Sequence, residues 1–177
     1  VYFGEEDAMI RFDMSEYQDQ SSIVQLIGSA PLEQGGRLTE AVKAKPFSLI
    51  LLDEIEKANS NVLNIFLQIL DEGKVRDGLG DQISFANTII IATSNAGSEF
   101  IRQHMGQLEP SELQTQLLDI IQREGLFRPE FLNRFDAVVP FHSLSEEHIK
   151  KVAGLMMAEL RERVKKESNV DLVYDEN

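Results

Sequence analysis

The chain has 177 residues, enough for a domain with its own core, and its apolar (42%) and charged (27%) fractions are those of an ordinary soluble globular protein. A formal net charge of −13 repels phosphate backbones and argues against nucleic acid as the main partner. There is no cysteine, which excludes disulfides and thiolate metal sites and accords with a reducing cytoplasm. No apolar run is long enough to span a membrane, and no basic segment followed by an apolar one opens the chain, so neither a membrane partner nor a secretory signal is expected.

Apolar runs alternate with helix-period segments, the pattern of an α/β domain with a mainly parallel sheet. The first strand is predicted over residues 8–12. A helix follows, with Ser22 and Gln25 at capping-box spacing, Ile23, Val24 and Leu26 apolar, and Gly28 as its stop. Residues 29–36 read as loop, and a short helix over 38–44 ends before Pro46. Residues 47–52 are almost wholly apolar, as in a strand buried on both faces. Val62, Ile65, Phe66, Ile69 and Leu70 share one helical face, with Ser60 or Asn61 as cap and Gly73 as terminator. Residues 75–85 read as a hairpin turning at Asp77-Gly78. Residues 88–92 form a second β-branched strand expected to be buried. Ser111 and Gln114 again have capping-box spacing, opening a helix with Leu113, Leu117, Leu118 and Ile121 inward. A last strand is expected over 137–141. Beyond it Ser145 caps a long helix whose apolar stripe is Ile149, Val152, Ala153, Met156 and Leu160, and Met156-Met157 read as core. A boundary near residues 142–145 divides a large α/β subdomain, 1–143, from the start of a helical one, 144–177.

Three motifs carry chemistry. Leu49-Ile50-Leu51-Leu52-Asp53-Glu54 is a hydrophobic strand ending in two carboxylates, which a parallel sheet delivers to the edge where ligands bind. Asp53 can hold the hydration shell of a Mg²⁺ ion beside nucleotide phosphates, and Glu54, pointing elsewhere, can take a proton from an attacking water. The same string also reads as a buried strand with a solvated acidic turn. Thr88-Ile89-Ile90-Ile91-Ala92-Thr93-Ser94-Asn95 ends a second buried strand in three polar residues; on a neighbouring strand Asn95 reaches the same water and a phosphate oxygen. The alternative is an ordinary Asx or ST turn. Phe127-Arg128-Pro129-Glu130-Phe131-Leu132-Asn133-Arg134-Phe135-Asp136 opens a short helix at Pro129 and carries Arg134 at its end. Arg134 can reach a phosphate in a neighbouring subunit, or pair with Asp136 or Glu130.

Occurring in this order, these residues resemble the Clp/Hsp100 AAA+ ATPases. Asp53-Glu54-Ile55-Glu56-Lys57-Ala58 is similar to their Walker B segment. Arg11-Phe12-Asp13-Met14-Ser15-Glu16-Tyr17, Gly35-Gly36-Arg37-Leu38-Thr39-Glu40-Ala41-Val42, Thr93-Ser94-Asn95 and the Phe127–Asp136 string resemble the same family, most closely the second ATPase module of its two-module members. The resemblance implies an AAA+ parallel sheet flanked by helices, with the start of a helical lid. It implies ATP and Mg²⁺ as ligands, Asp53 for the metal, Glu54 as general base, Asn95 as sensor and Arg134 as arginine finger, with Arg128 a lesser interface residue. It further implies a homo-hexameric ring that threads polypeptide substrates.

The chain departs from the family pattern in three places. No G-x-x-x-x-G-K-[ST] phosphate loop occurs in it, so the 177 residues alone are expected not to hydrolyse ATP, and the native polypeptide is expected to start upstream. The family's strand leading into that loop lies between those matching 88–92 and 137–141, so these two are expected not to pair. Only Ser29-Ala30-Pro31-Leu32-Glu33-Gln34 stands where the family carries an aromatic G-Y-V-G pore loop, and the family's Gly-Ala-Arg sensor is absent. No Ile-Gly-Phe-like tripeptide stands between Asn95 and Phe127, which favours a disaggregase over a peptidase-coupled unfoldase. His104, His142 and His148 are scattered and make no metal constellation. Other readings are a clamp or helicase loader, which the acidic charge disfavours, and an AAA+ interaction module that binds no nucleotide, which the joint presence of Glu54, Asn95 and Arg134 disfavours.

Overall fold

In a computed structural model, residues 9–32, 34–104, 106–141 and 144–173 are described. The predicted strand start at Ala8, Glu33 of the predicted loop, and His142 at the predicted boundary lie outside them. The chain forms two compact units, Val1–Pro140 and Phe141–Asn177.

The first unit is built on a three-stranded parallel sheet. Strand β1 (Met9–Asp13) pairs with β4 (Ser48–Asp53), which pairs with β7 (Thr88–Ala92). The registers are unbroken: Ile10, Ile50 and Ile90 stand abreast, as do Phe12, Leu52 and Ala92. Because side chains alternate across a strand, these residues share one face. That face joins a core containing Leu26 of α1 (Ser22–Ile27), Leu38 and Val42 of α2 (Arg37–Ala44), and Val62, Phe66 and Ile69 of α3 (Ser60–Glu72). Burying each such side chain contributes about 1.5–3 kcal/mol.

The opposite face corrects the expectation of strands buried on both sides. Leu49 and Leu51 are half-buried, while Met9, Ile89 and Ile91 are exposed, Ile89 and Ile91 at 41% and 44%. Among the described residues, this face is only partly covered. The strand expected over 137–141 is also absent: these residues are irregular, with Val139 and Phe141 exposed. A strand exists only through a partner's hydrogen bonds, and none of these residues finds a strand partner among the described residues.

Local chemistry explains several boundaries. Ser22 does not cap α1; it lies inside the helix and is buried. Helix α3 is capped by Asn59, one residue before the expected choices, whose side chain accepts from Asn61 N–H at 3.0 Å. Its end is closed by Gly73 at φ 64°. In α5 (Pro110–Arg123) Pro110 occupies the first turn, so Ser111 falls inside the helix and caps nothing. The expected loop over 29–36 instead contains a small antiparallel pair, β2 (Gly28–Ser29) with β3 (Gln34–Gly35).

Strands β5 (Lys74–Arg76) and β6 (Gln82–Ser84) form the expected hairpin. The buried Asp77 organises its turn, accepting from Leu79 N–H and Asp81 N–H at 3.0 and 2.8 Å and from the Lys43 ammonium at 2.8 Å. Gly78 N–H donates to the Ile27 carbonyl at 2.8 Å, tying the hairpin to the end of α1. A helix not foreseen, α4 (Ser98–His104), follows β7 and packs Phe100 and Ile101 against the core.

In the second unit, α7 (Glu146–Ser168) is capped by Ser145, whose hydroxyl accepts from His148 N–H. Its apolar stripe does not form a core as Met156 was expected to: Ile149, Val152, Leu155 and Met156 are exposed. No second helix within this unit is available, among the described residues, to cover them.

Candidate functional site

Strand parity assembles the site. Asp13 and Asp53 stand abreast at the carboxyl ends of β1 and β4, and Arg11 lies two residues back on the same face as Asp53. Thr93 follows Ile89 and Ile91 on that face at the end of β7. The Arg11 guanidinium pairs with Asp53 Oδ2, and the Thr93 hydroxyl donates to Asp53 Oδ1. The Thr93 hydroxyl first, and Arg11 second, hold the Asp53 carboxyl below the usual carboxylate range. Asp13 is engaged with its own turn, accepting from the Ser15 hydroxyl and N–H at 2.5 and 2.9 Å, which lower its pKa in that order.

Past Asp53 the chain turns sharply. Glu54 adopts φ 53°, ψ 51°, a left-handed conformation rare for a residue with a side chain. The turn is stitched to the end of β7. Thr93 N–H donates to the Leu52 carbonyl at 2.9 Å, Glu54 N–H to Thr93 Oγ1 at 3.1 Å, and Ile55 N–H to the Thr93 carbonyl at 3.0 Å. A 3₁₀ turn over Ile55–Lys57 follows, anchored by the buried Ile55. Glu54 and Asn95 thereby face each other, with Asn95 Nδ2 3.5 Å from Glu54 Oε1, at the outer limit of a hydrogen bond. Asn95 N–H donates to Glu56 Oε1 at 3.1 Å. Ser94 makes the ST turn foreseen as the alternative, accepting from Ala96 N–H at 3.0 Å, while Thr93 has turned inward to Asp53.

Arg134 is not part of this cluster. Helix α6 (Pro129–Leu132) starts at Pro129 as expected and carries Arg134 just past its end. Its guanidinium pairs with Asp71, in the last turn of α3, rather than with Asp136 or Glu130. Helix α3 starts beside the Glu54 turn, so Arg134 sits about 16 Å along that helix from it, at 1.5 Å per residue. The Arg134 side chain remains 45% exposed. Arg128, the N-cap residue of α6, is also exposed.

Asp53 suits a hard divalent cation. It is an ionised oxygen donor at the carboxyl edge of a parallel sheet, and a positive group already stands against it. Sequence reading found Asp53, Glu54 and Asn95, which the fold brings together. It did not single out Arg11, Thr93 or Glu56. Arg11 and Thr93 lie at even spacing from residues on their strands that face the same way, a signal interpretable only once the register is known.

The fold and this arrangement define an α/β domain of the AAA type, with Asp53, Glu54 and Asn95 gathered at adjacent strand ends. The sequence profile of the AAA domain family, Cdc48 subfamily, matches residues 1–138, and the chain belongs to that family. Chaperone protein ClpB of Vibrio cholerae is 48% identical over 166 residues, which cover 92% of this chain and 19% of that protein. ClpB of Prochlorococcus marinus is 50% identical over 167 residues, again 92% of this chain and 19% of the relative. The chain thus spans about a fifth of the length of these relatives. Among solved structures, Hsp104 in its closed state with ATPγS and FITC casein superposes with a TM-score of 0.80 at 37% identity, over 93% of this chain and 29% of that one. The Saccharomyces cerevisiae Hsp104–casein complex in its extended conformation superposes with a TM-score of 0.78 at 38% identity, over 92% and 28%. These relatives bear out the Clp/Hsp100 resemblance.

Proposed function

We propose that this segment forms the water-activating wall of an ATP-hydrolysing module in a cytoplasmic protein unfoldase, with disaggregation favoured over delivery to a peptidase partner. The observation that carries the reading is the juxtaposition of Asp53, Glu54 and Asn95 on adjacent strand ends in a chain this similar to ClpB. The solved relatives hold casein, and one holds ATPγS, which supports a polypeptide as the substrate to be moved and ATP as the fuel.

Each residue has a distinct task. Asp53, kept ionised by Thr93 and Arg11, is the residue that would hold Mg²⁺. When bound, Mg²⁺ neutralises charge on the phosphates. Glu54 Oε1, which faces the Asn95 amide, accepts a proton from the attacking water. The Asn95 amide orients that water and Glu54 together. Arg134 serves the neighbouring subunit of a homo-hexamer: within its own chain it lies a helix length from Glu54, and only the exposed Asp71 must release it.

The test uses the complete polypeptide. Glu54→Gln and Arg134→Ala should each retain ATP and lose turnover about a hundredfold. Their defects then sit on opposite sides of one subunit interface. Mixing the two variants under conditions of subunit exchange should restore ATPase activity absent from either alone. Full turnover in Glu54→Gln would refute the base assignment, and no recovery on mixing would refute action of Arg134 in trans.

A further inference from the structure

We propose that Glu56 is a positioning residue that holds Asn95 against Glu54. This rests on the reading of Glu54 as base and Asn95 as its orienting partner.

The pairing of β4 with β7 ends at Leu52 and Ala92. Asn95 lies three residues beyond that ladder, where no strand pairing fixes its backbone. The Glu56 side chain takes over: its Oε1 accepts the Asn95 N–H at 3.1 Å. The other end of the link is equally well fixed. Glu56 sits in the 3₁₀ turn Ile55–Lys57, held by Lys57 N–H to the Glu54 carbonyl at 2.9 Å and Ala58 N–H to the Ile55 carbonyl at 3.2 Å. Glu54 and Glu56 therefore ride on one rigid turn. One carboxylate meets the backbone of Asn95 and the other meets its side-chain amide.

The arrangement carries a cost that packing alone does not explain. Glu56 Oε2 is buried and has no hydrogen-bond partner among the described residues. An unpartnered carboxylate oxygen is among the least favourable atoms to bury, and an apolar side chain would avoid it. In exchange Glu56 Oε1 accepts a backbone N–H that no strand partner takes, at the residue whose placement sets the geometry of Glu54. A shift of Asn95 by one ångström would carry its amide, already at 3.5 Å, out of reach of Glu54.

The inference separates reach from charge. Glu56→Gln keeps an oxygen at the same distance and loses the charge. Glu56→Asp keeps the charge and withdraws it by about 1.5 Å, one carbon–carbon bond. In the complete polypeptide, Glu56→Asp and Glu56→Ala should lower kcat about tenfold with KM within about twofold, while Glu56→Gln stays near wild type. Hydrogen exchange, read by mass spectrometry on peptides spanning residues 93–97, should show the Asn95 amide exchanging about tenfold faster or more in Glu56→Asp and Glu56→Ala, and as in wild type in Glu56→Gln. Combined with Asn95→Ala, the Glu56 substitutions should lower kcat no further.

An active Glu56→Asp beside an inactive Glu56→Gln would overturn the proposal, since charge rather than reach would then matter. So would an Asn95 amide that stays protected in Glu56→Asp, or losses that add to those of Asn95→Ala. Should Glu56→Ala fail to fold, the Asp and Gln pair still decides. Full turnover in Asn95→Ala itself would count against the proposed function, while the exchange measurement would still judge the Glu56–Asn95 link.

Discussion

The backbone of Glu54 yields a sign test. At φ 53°, ψ 51° the residue occupies the left-handed region, which costs a residue with a side chain about 1–2 kcal/mol. Glycine escapes that cost but loses about 0.5–1 kcal/mol more than alanine in chain entropy on folding. Glu54→Gly and Glu54→Ala remove the same carboxylate and the same contact with Asn95, so their difference isolates the backbone. The glycine variant should be the more stable by about 0.5–1 kcal/mol, the reverse of the order in a helix interior, where alanine wins by about 1 kcal/mol. For a chain of this length that is a rise in melting temperature of about 1–4 °C over the alanine variant. Urea and thermal unfolding of the 177-residue chain, followed by far-ultraviolet circular dichroism, measure it. An alanine variant as stable as the glycine variant, or more so, would refute the assignment of strain to this position. Glu54→Gln, which keeps both side-chain length and backbone cost, should match wild-type stability while failing in turnover in the complete polypeptide. Strain at the residue the chemistry needs is where a functional demand overrides local preference.

Other expectations concern the supporting structure. Burial works to raise the pKa of Asp77, but Lys43 and the N–H groups of Asp81 and Leu79 outweigh it and the net shift is downward. A depressed carboxylate stabilises the fold above its unfolded pKa and loses that contribution as the pH falls through its folded value. Asp77→Asn, which keeps the turn bonds, should therefore cost about 1–2 kcal/mol in urea melts at neutral pH, with the deficit shrinking below about pH 4; Asp77→Ala, which breaks the turn as well, should cost about 3–4. Gly78→Ala would set a Cβ 2.1 Å from the backbone of Gly28, where neither chain can yield, and should cost about 1–3 kcal/mol or more by the same melts. Thr93→Val removes the leading cause of the depressed Asp53 pKa, so carboxyl resonances in NMR titrations should show Asp53 protonating at higher pH than in wild type.

The sequence by itself determined the parallel sheet and the residues at the strand ends. Runs such as Leu49-Ile50-Leu51-Leu52 and the face of Val62, Phe66 and Ile69 are local periodicities, readable without knowing what packs against them. Asp53, Glu54 and Asn95 were legible for the same reason, each standing at the end of an apolar strand or within three residues of it. Burial was not legible. Ile89 and Ile91 look like core in any window, yet both are exposed, and the segment 137–141 pairs with no strand among the described residues. Whether an apolar residue is buried, or an extended segment becomes a strand, depends on partners distant in the chain. Tertiary structure alone decided how the carboxylates are held. Arg11 meets Asp53 across 42 positions, Thr93 reaches Asp53 across 40, and Asn95 reaches Glu54 across 41, contacts that exist only because register brings three strand ends together. The same long-range packing took Arg134 to Asp71 on α3 instead of to Asp136 or Glu130 nearby in sequence. A side chain's partner is set by which helix lies within its reach, and spacing along the chain does not carry that information.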